Sequence, residues 1–262
     1  MIRTILTRFV ALMGILLAFT NVSAQEFPVA VGSDTTFSVG AVYGGGNGIV
    51  AVQGDINSPY SINAQLVAAG GTLLGSRISL GSLGVTPGAI PVFDGTNYFL
   101  IWREFNGNLK GQFINPAGGL VGGAITIASS VSLQRPGSCA IALADTAFLV
   151  VFTKTDDFLY GQFVGKSGVL IGGQIQISNN LARDVALAYD NTNFLVTWVE
   201  IIPDSDRDVY AQFVSKTGSL AGNNFLVDGG PNISDNPTSI AFDGTRYLVI
   251  YHEQPTTGGN WT

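Results

Sequence analysis

Apolar positions in this chain come in short, dense bursts. Tyr98-Phe99-Leu100-Ile101-Trp102, Phe148-Leu149-Val150-Val151-Phe152, Phe194-Leu195-Val196-Thr197-Trp198 and Tyr247-Leu248-Val249-Ile250-Tyr251 are apolar at nearly every position. Runs this short, rich in aromatic and β-branched residues and bounded by Asp, Asn and Gly, read as strands. A strand apolar at successive positions must be covered on both faces. Tyr98, Leu100 and Trp102 are expected to point one way, Phe99 and Ile101 the other. Asp94-Gly95, Asp190-Asn191 and Asp243-Gly244 precede three of the runs and signal tight hairpins, because these residues tolerate positive φ. The strand before each hairpin is exemplified by Ala89–Asp94 and Val185–Asp190. Pro87, Pro136 and Pro237 stand just before such strands, where proline costs no ladder hydrogen bond.

The runs belong to a repeat. Gln65, Gln112, Gln162 and Gln212 each sit in an apolar third strand. Six residues later comes a glycine (Gly71, Gly118, Gly168, Gly218), then a leucine (Leu73, Leu120, Leu170, Leu220), then another glycine (Gly75, Gly122, Gly172, Gly222). The period is about 48 residues. A glycine-centred turn leads to a fourth strand, such as Ala124–Ala128 or Gln174–Ser178. Four short strands per unit, buried on both faces and repeated without helices, describe the blades of an all-β propeller. A two-layer sandwich, the competing architecture, would bury one face of each strand. The expected units are approximately 34–80, 85–130, 135–180, 183–229 and 235–262, within a repeat domain 25–262.

The Asp-Gly-Thr-x-Tyr-Leu-Val block (Asp243 to Val249), with Tyr160-Gly161-Gln162-Phe163-Val164 and Gly168-x-Leu170-x-Gly172, resembles the tandem repeats of bacterial secreted and cell-surface proteins read as propellers. The resemblance covers nearly all of the chain after its first residues. It implies a propeller and an extracytoplasmic setting, and it is uninformative about activity. Unit 1 departs from the pattern, with Gly48 in place of the leading aromatic and Val52 in place of the Trp. Unit 5 has two strands and then reaches Thr262. Either Phe27–Ser33 supplies a strand to a thin fifth blade, or the chain is a piece of a longer propeller.

The first residues read as an export signal. Arg3 and Arg8 precede an apolar run from Phe9 to Phe19, and Val22-Ser23-Ala24 offers small residues for cleavage before Gln25. Residues 1–24 are therefore assigned as a signal peptide, and the protein as secreted, periplasmic or cell-surface. No later segment approaches the roughly 20 apolar residues of a membrane span. The net charge of −6 and a charged fraction of 11% leave no basic footprint for nucleic acid. With Cys139 as the single cysteine, no intrachain disulfide can form.

Candidate chemistry is sparse. His252 is the only histidine, and its position varies between units. Cys139, at a strand start, reads as a buried small apolar residue. The glycines of Gly44-Gly45-Gly46-Asn47-Gly48 superficially match a dinucleotide fingerprint, but a strand follows where that motif needs a helix. No catalytic residue is assigned. Asp204, Asp206 and Asp208 alternate as calcium ligands do, although the EF-hand pattern fails, with Ser215 standing where its bidentate Glu belongs. Calcium is the one cofactor candidate.

Glu104, Glu200 and Glu253 recur two residues past the aromatic that ends the second strand. With Trp102, Trp198 and Tyr251 they could ring a glycan-binding face. Alternatively the aromatics are interblade core and the acids a solvated rim. The recurrent glutamines are expected to pair with main chain between blades. The leading functional expectation is an extracellular binding or display module, recognising a glycan or protein. The alternative is a secreted carbohydrate-active hydrolase or lyase. Glycoside hydrolysis needs two convergent carboxylates, and the matched acids here lie in different units.

Overall fold

The computed structural model describes residues 37–53, 61–82, 89–132, 139–201, 207–229 and 233–255. All regular structure among them is β. Blade 1 contains β1 (Phe37–Gly44), β2 (Asn47–Gln53), β3 (Ser61–Ala68) and β4 (Leu73–Ser82). Blade 2 contains β5 (Ile90–Phe93), β6 (Tyr98–Arg103), β7 (Leu109–Ile114) and β8 (Leu120–Ala128). Blade 3 contains β9 (Cys139–Ala144), β10 (Ala147–Thr153), β11 (Leu159–Gly165) and β12 (Leu170–Gln176). Blade 4 contains β13 (Ala182–Tyr189), β14 (Asn193–Ile201), β15 (Arg207–Ser215) and β16 (Leu220–Asp228). Each is an antiparallel meander in sequence order. A fifth unit pairs β17 (Ile233–Phe242) with β18 (Tyr247–Pro255), and one parallel bridge, Arg207 to Ser234, joins it to the blade 4 sheet.

The first strands pack successively, β1 on β5, β5 on β9, β9 on β13 and β13 on β17. This is a propeller, with the first strand of each blade innermost and the fourth outermost. The second strand of each blade explains the stacking. Ile49 and Ala51 of β2 share a core with Tyr98, Leu100 and Trp102 of β6. Phe99 and Ile101, from the opposite face of β6, share the next core with Phe148, Val150 and Phe152 of β10. Leu149 and Val151 then join Phe194, Val196 and Trp198 of β14. One residue of offset sends a side chain to the other face of a strand, so an unbroken apolar run fills two cores at once.

The glutamines differ from expectation in an informative way: they bond within their own blade. Gln112 Nε2 donates to the carbonyls of Phe113, Val121 and Gly122 at 2.9, 3.1 and 3.3 Å. Gln65, Gln162 and Gln212 repeat the pattern on the equivalent carbonyls. In every complete blade the third and fourth strands lose register at this glutamine. The second glycine of the motif forms the bulge, with φ between 64° and 76°, a region that disfavours any side chain. The amide thus replaces ladder hydrogen bonds that the bulge removes. The fourth strands consequently begin at Leu120 and Leu170, earlier than Ala124 and Gln174, and pass through the bulge. Pro237 likewise lies inside β17, where the register shifts between Pro237 and Ser239; a bulge is a place that tolerates a missing N–H. Pro87 and Pro136 lie outside the described residues.

One end of the propeller carries the turns between first and second strands. There Asp94 Oδ1 accepts from the backbone N–H of Thr96 and Asn97, both at 2.7 Å, and Asp190 and Asp243 repeat the arrangement. The Tyr98 hydroxyl donates to the carbonyls of Gly44 and Asn47 in the preceding blade at 2.6 and 2.8 Å. Tyr247 makes the equivalent contact to Asn193 at 3.1 Å. Lys166 Nζ reaches the Asp94 carbonyl, and Lys216 pairs with Asp145, so consecutive blades are tied at this end.

Candidate functional site

The opposite end carries the turns between second and third strands and the connections from each outer strand to the next inner one. The acids singled out by sequence meet different fates there. Glu104 leaves the ladder just after β6, where its backbone N–H closes a turn onto the Asn108 carbonyl at 2.8 Å. Its Oε2 accepts from Asn106 at 3.3 Å. Glu200 stays inside β14, is 6% exposed, and accepts from Asn180 Nδ2 at 2.6 Å. Glu253 lies on β18 opposite Asp235, but its side chain is outside the described residues, as is that of His252. The three glutamates are therefore equivalent in position, and the two whose side chains are described, Glu104 and Glu200, differ in surroundings.

Trp102 and Trp198 require a correction as ligand-binding residues. Both are fully buried, and each belongs to an interblade core. Both rings are packed inside the protein, so neither can stack on a ligand. Their indole nitrogens are buried without a hydrogen-bond partner among the described residues. Tyr251 is half-buried on β18 opposite Pro237. Cys139 is buried, and burial pushes its thiol up, with the Arg103 guanidinium opposing in part. That environment suits packing and disfavours a nucleophile.

Of the three aspartates considered for calcium, Asp204 and Asp206 lie outside the described residues. Asp208 is on β15, directly opposite Glu200 in the β14–β15 ladder. Among the described residues no group of three or more His, Cys, Asp or Glu gathers to hold a metal ion. Side chains opposite one another across an antiparallel pair stand about 4.5–5.5 Å apart at Cβ, and like charges so placed are destabilising.

The surroundings of Glu200 and Asp208 are organised. Two residues along, on the same face, Trp198 stacks on Tyr210 with centroids 6.4 Å apart. Burial, then the Glu200 and Asp208 charges, push the Tyr210 hydroxyl above its ordinary range. Gly229 lies against Asp208, where an added Cβ would come to 2.5 Å of the carboxyl carbon. Glycine there leaves space for the carboxylate. A hairpin thus brings together a glutamate considered for glycan binding and an aspartate considered for calcium. Sequence missed the pair because the intervening residues hide the register.

A second feature lies at the same end, between blades 2 and 3. A cleft of about 430 Å³ is lined by Phe105, Asn106, Ser130, Ser132, Thr155 and Asp157 among others. Main-chain bonds fix its walls: Val131 N–H to the Gly107 carbonyl at 2.8 Å, Thr155 N–H to Ser130 at 2.9 Å, and Ser132 N–H to Thr153 at 2.9 Å. The buried Arg103 guanidinium also donates to the Ser132 carbonyl.

No family model matches the chain, and no curated protein matches it significantly in sequence. Solved structures do match in fold. Hydrazine synthase from Kuenenia stuttgartiensis superposes with a TM-score of 0.55 at 12% identity, covering 91% of this chain and 80% of that one. A variant of the exo-β-1,3-galactanase from Phanerochaete chrysosporium, bound to β-1,3-galactotriose, gives 0.51 at 10% identity, covering 82% and 55%. A second variant of that enzyme with the same ligand gives 0.50 at 10% identity, covering 85% and 61%. The chain thus spans little more than half of the galactanase. These likenesses establish the propeller fold. They also correct the leading functional expectation of a non-catalytic binding or display module. All three are to proteins named as enzymes, and two of them hold a glycan. No helix among the described residues is long and apolar enough to cross a membrane.

Proposed function

We propose that the chain is an exported carbohydrate-active hydrolase on a propeller scaffold, with Glu200 and Asp208 as its pair of carboxylates. The observation that carries the reading is the cross-strand register of these two acids on one face of β14–β15. Glycoside hydrolysis asks one carboxyl group to protonate the leaving oxygen and a second to act as base or nucleophile. Glu200 is held by the Asn180 amide, Asp208 lies opposite it in the ladder, and the charges of both act on the Tyr210 hydroxyl. The galactanase, a propeller that holds a galactotriose, supports the same reading by analogy of fold. Residues 1–24 act as the export signal, and 25–262 form the repeat domain.

The test is release of reducing ends from β-1,3-galactan, arabinan and xylan by protein expressed with its leader. The expected result is hydrolysis of at least one polymer by a secreted product beginning at Gln25. Absence of release from all three would contradict the hydrolase reading, and retention of residues 1–24 would contradict the export reading.

A further inference from the structure

We infer that the cleft between blades 2 and 3 is a saccharide subsite, which anchors a neutral glycan chain outside the carboxylate pair. The inference rests on the hydrolase reading and adds where a polymer is gripped. Phe105 leaves 46% of its surface exposed at the mouth of the cleft. An exposed aromatic ring offers a flat apolar face of the kind that the C–H face of a sugar ring covers. Around it stand groups that exchange hydrogen bonds with hydroxyls: the Asn106 amide, the Ser130 and Thr155 hydroxyls and the Asp157 carboxylate. The Asp157 main chain is fully engaged, its N–H with the Lys154 carbonyl and its carbonyl with Ala182 N–H, at 2.9 and 2.8 Å. Its left-handed φ of 62° is held by these bonds, and its carboxylate takes part in no hydrogen bond among the described residues.

The chemistry of the lining selects the ligand class. An anion would meet the Asp157 carboxylate with little compensation, since Lys154 Nζ lies 4.3 Å over the Tyr160 ring. A metal ion would find too few carboxylates, because Asp156 accepts from the Tyr160 hydroxyl at 2.9 Å. A purely apolar ligand would bury the polar half of the lining without partners. A neutral polyhydroxylated ring satisfies both halves. The volume falls within the range of ordinary small-ligand pockets, and its walls are fixed by the main-chain bonds described above.

The experiment titrates the whole mature chain with β-1,3-galactotriose, arabinotriose and xylotriose by calorimetry, alongside Phe105→Ala and Asp157→Asn. Binding of at least one trisaccharide is expected, weakened about tenfold by Phe105→Ala, which corresponds to ~1.4 kcal/mol. Asp157→Asn, which keeps the shape of the side chain, should weaken it less. In hydrolysis, Phe105→Ala should raise KM for the polymer while leaving kcat, and the rate on a single-sugar aryl glycoside, as in the parent. Melting temperatures within one degree or so of the parent would exclude unfolding as the cause, since Phe105 and Asp157 lie at the surface. No binding of any trisaccharide, or binding indifferent to both cleft variants, would overturn the subsite. Retained cleft binding in a chain that hydrolyses nothing would overturn the hydrolase reading alone.

Discussion

Interior and terminal blades use the same residues to different ends. In β10 the side chains of Leu149 and Val151 are fully buried against blade 4. Their counterparts in β18, Leu248 and Ile250, are 61% and 52% exposed. At the other end, Tyr43 of β1 is 64% exposed beside an apolar recess that Ala41, Val50 and Val67 also line. The repeat encodes two sticky faces per blade, and a face becomes core only where another blade covers it. Local sequence specifies the strand; neighbours specify its burial.

The sharpest way to break this comparison is matched truncation. Phe148→Ala, which removes a ring packed against Phe99 and Phe113, should cost ~3–5 kcal/mol by denaturant unfolding. Leu248→Ala should stay within ~0.5 kcal/mol. Equal losses at the two sites would mean that the end face is covered. Next in size, Gln112→Ala should cost ~1–3 kcal/mol by stranding carbonyls at the bulge. Similar losses for Gln162→Ala and Gln212→Ala would show that the device works blade by blade. A smaller effect, ~0.5–1.5 kcal/mol, is expected for Tyr98→Phe, which loses the hydroxyl bonds to blade 1.

The smallest effect is one of pH. Burial raises the Asp190 pKa, but the N–H groups of Asn193 and Thr192 and the Tyr247 hydroxyl outweigh it and hold the carboxyl below its ordinary range. A depressed folded pKa contributes stability that is present above the unfolded value of roughly 3.9 and is lost as pH falls through the folded one. Asp190→Asn should therefore flatten the fall in melting temperature below about pH 4 while costing stability at neutral pH. An unchanged acid limb would show that this turn contributes nothing at the junction of blades 4 and 5.

Much of the fold was legible because each second strand is apolar on both faces, which only a stacked, two-sided arrangement satisfies. The Gln-Gly-Leu-Gly spacing announced a repeat, yet its meaning required register: the amide mends a bulge that no spacing reveals. Trp102 and Trp198 were legible as important, with ligand contact and interblade core left as alternatives, because an aromatic at a strand end looks alike whether water or another blade faces it; the structure puts both in core. Glu200 and Asp208 carried separate expectations eight residues apart, and only the hairpin sets them opposite each other. Phe105 drew no notice from sequence, since nothing local marks an exposed aromatic in a turn as a cleft wall.

The most direct measurement is the rate of polysaccharide hydrolysis by Glu200→Gln and Asp208→Asn beside the parent, on whichever polymer the parent cleaves. Each variant replaces a carboxylate with an amide of the same shape. General acid or base catalysis alone contributes about 10²–10⁴-fold, so each should lose at least a hundredfold in kcat with the fold intact. Parent-like rates in both variants would contradict the assignment of Glu200 and Asp208 as the carboxylates that do the chemistry.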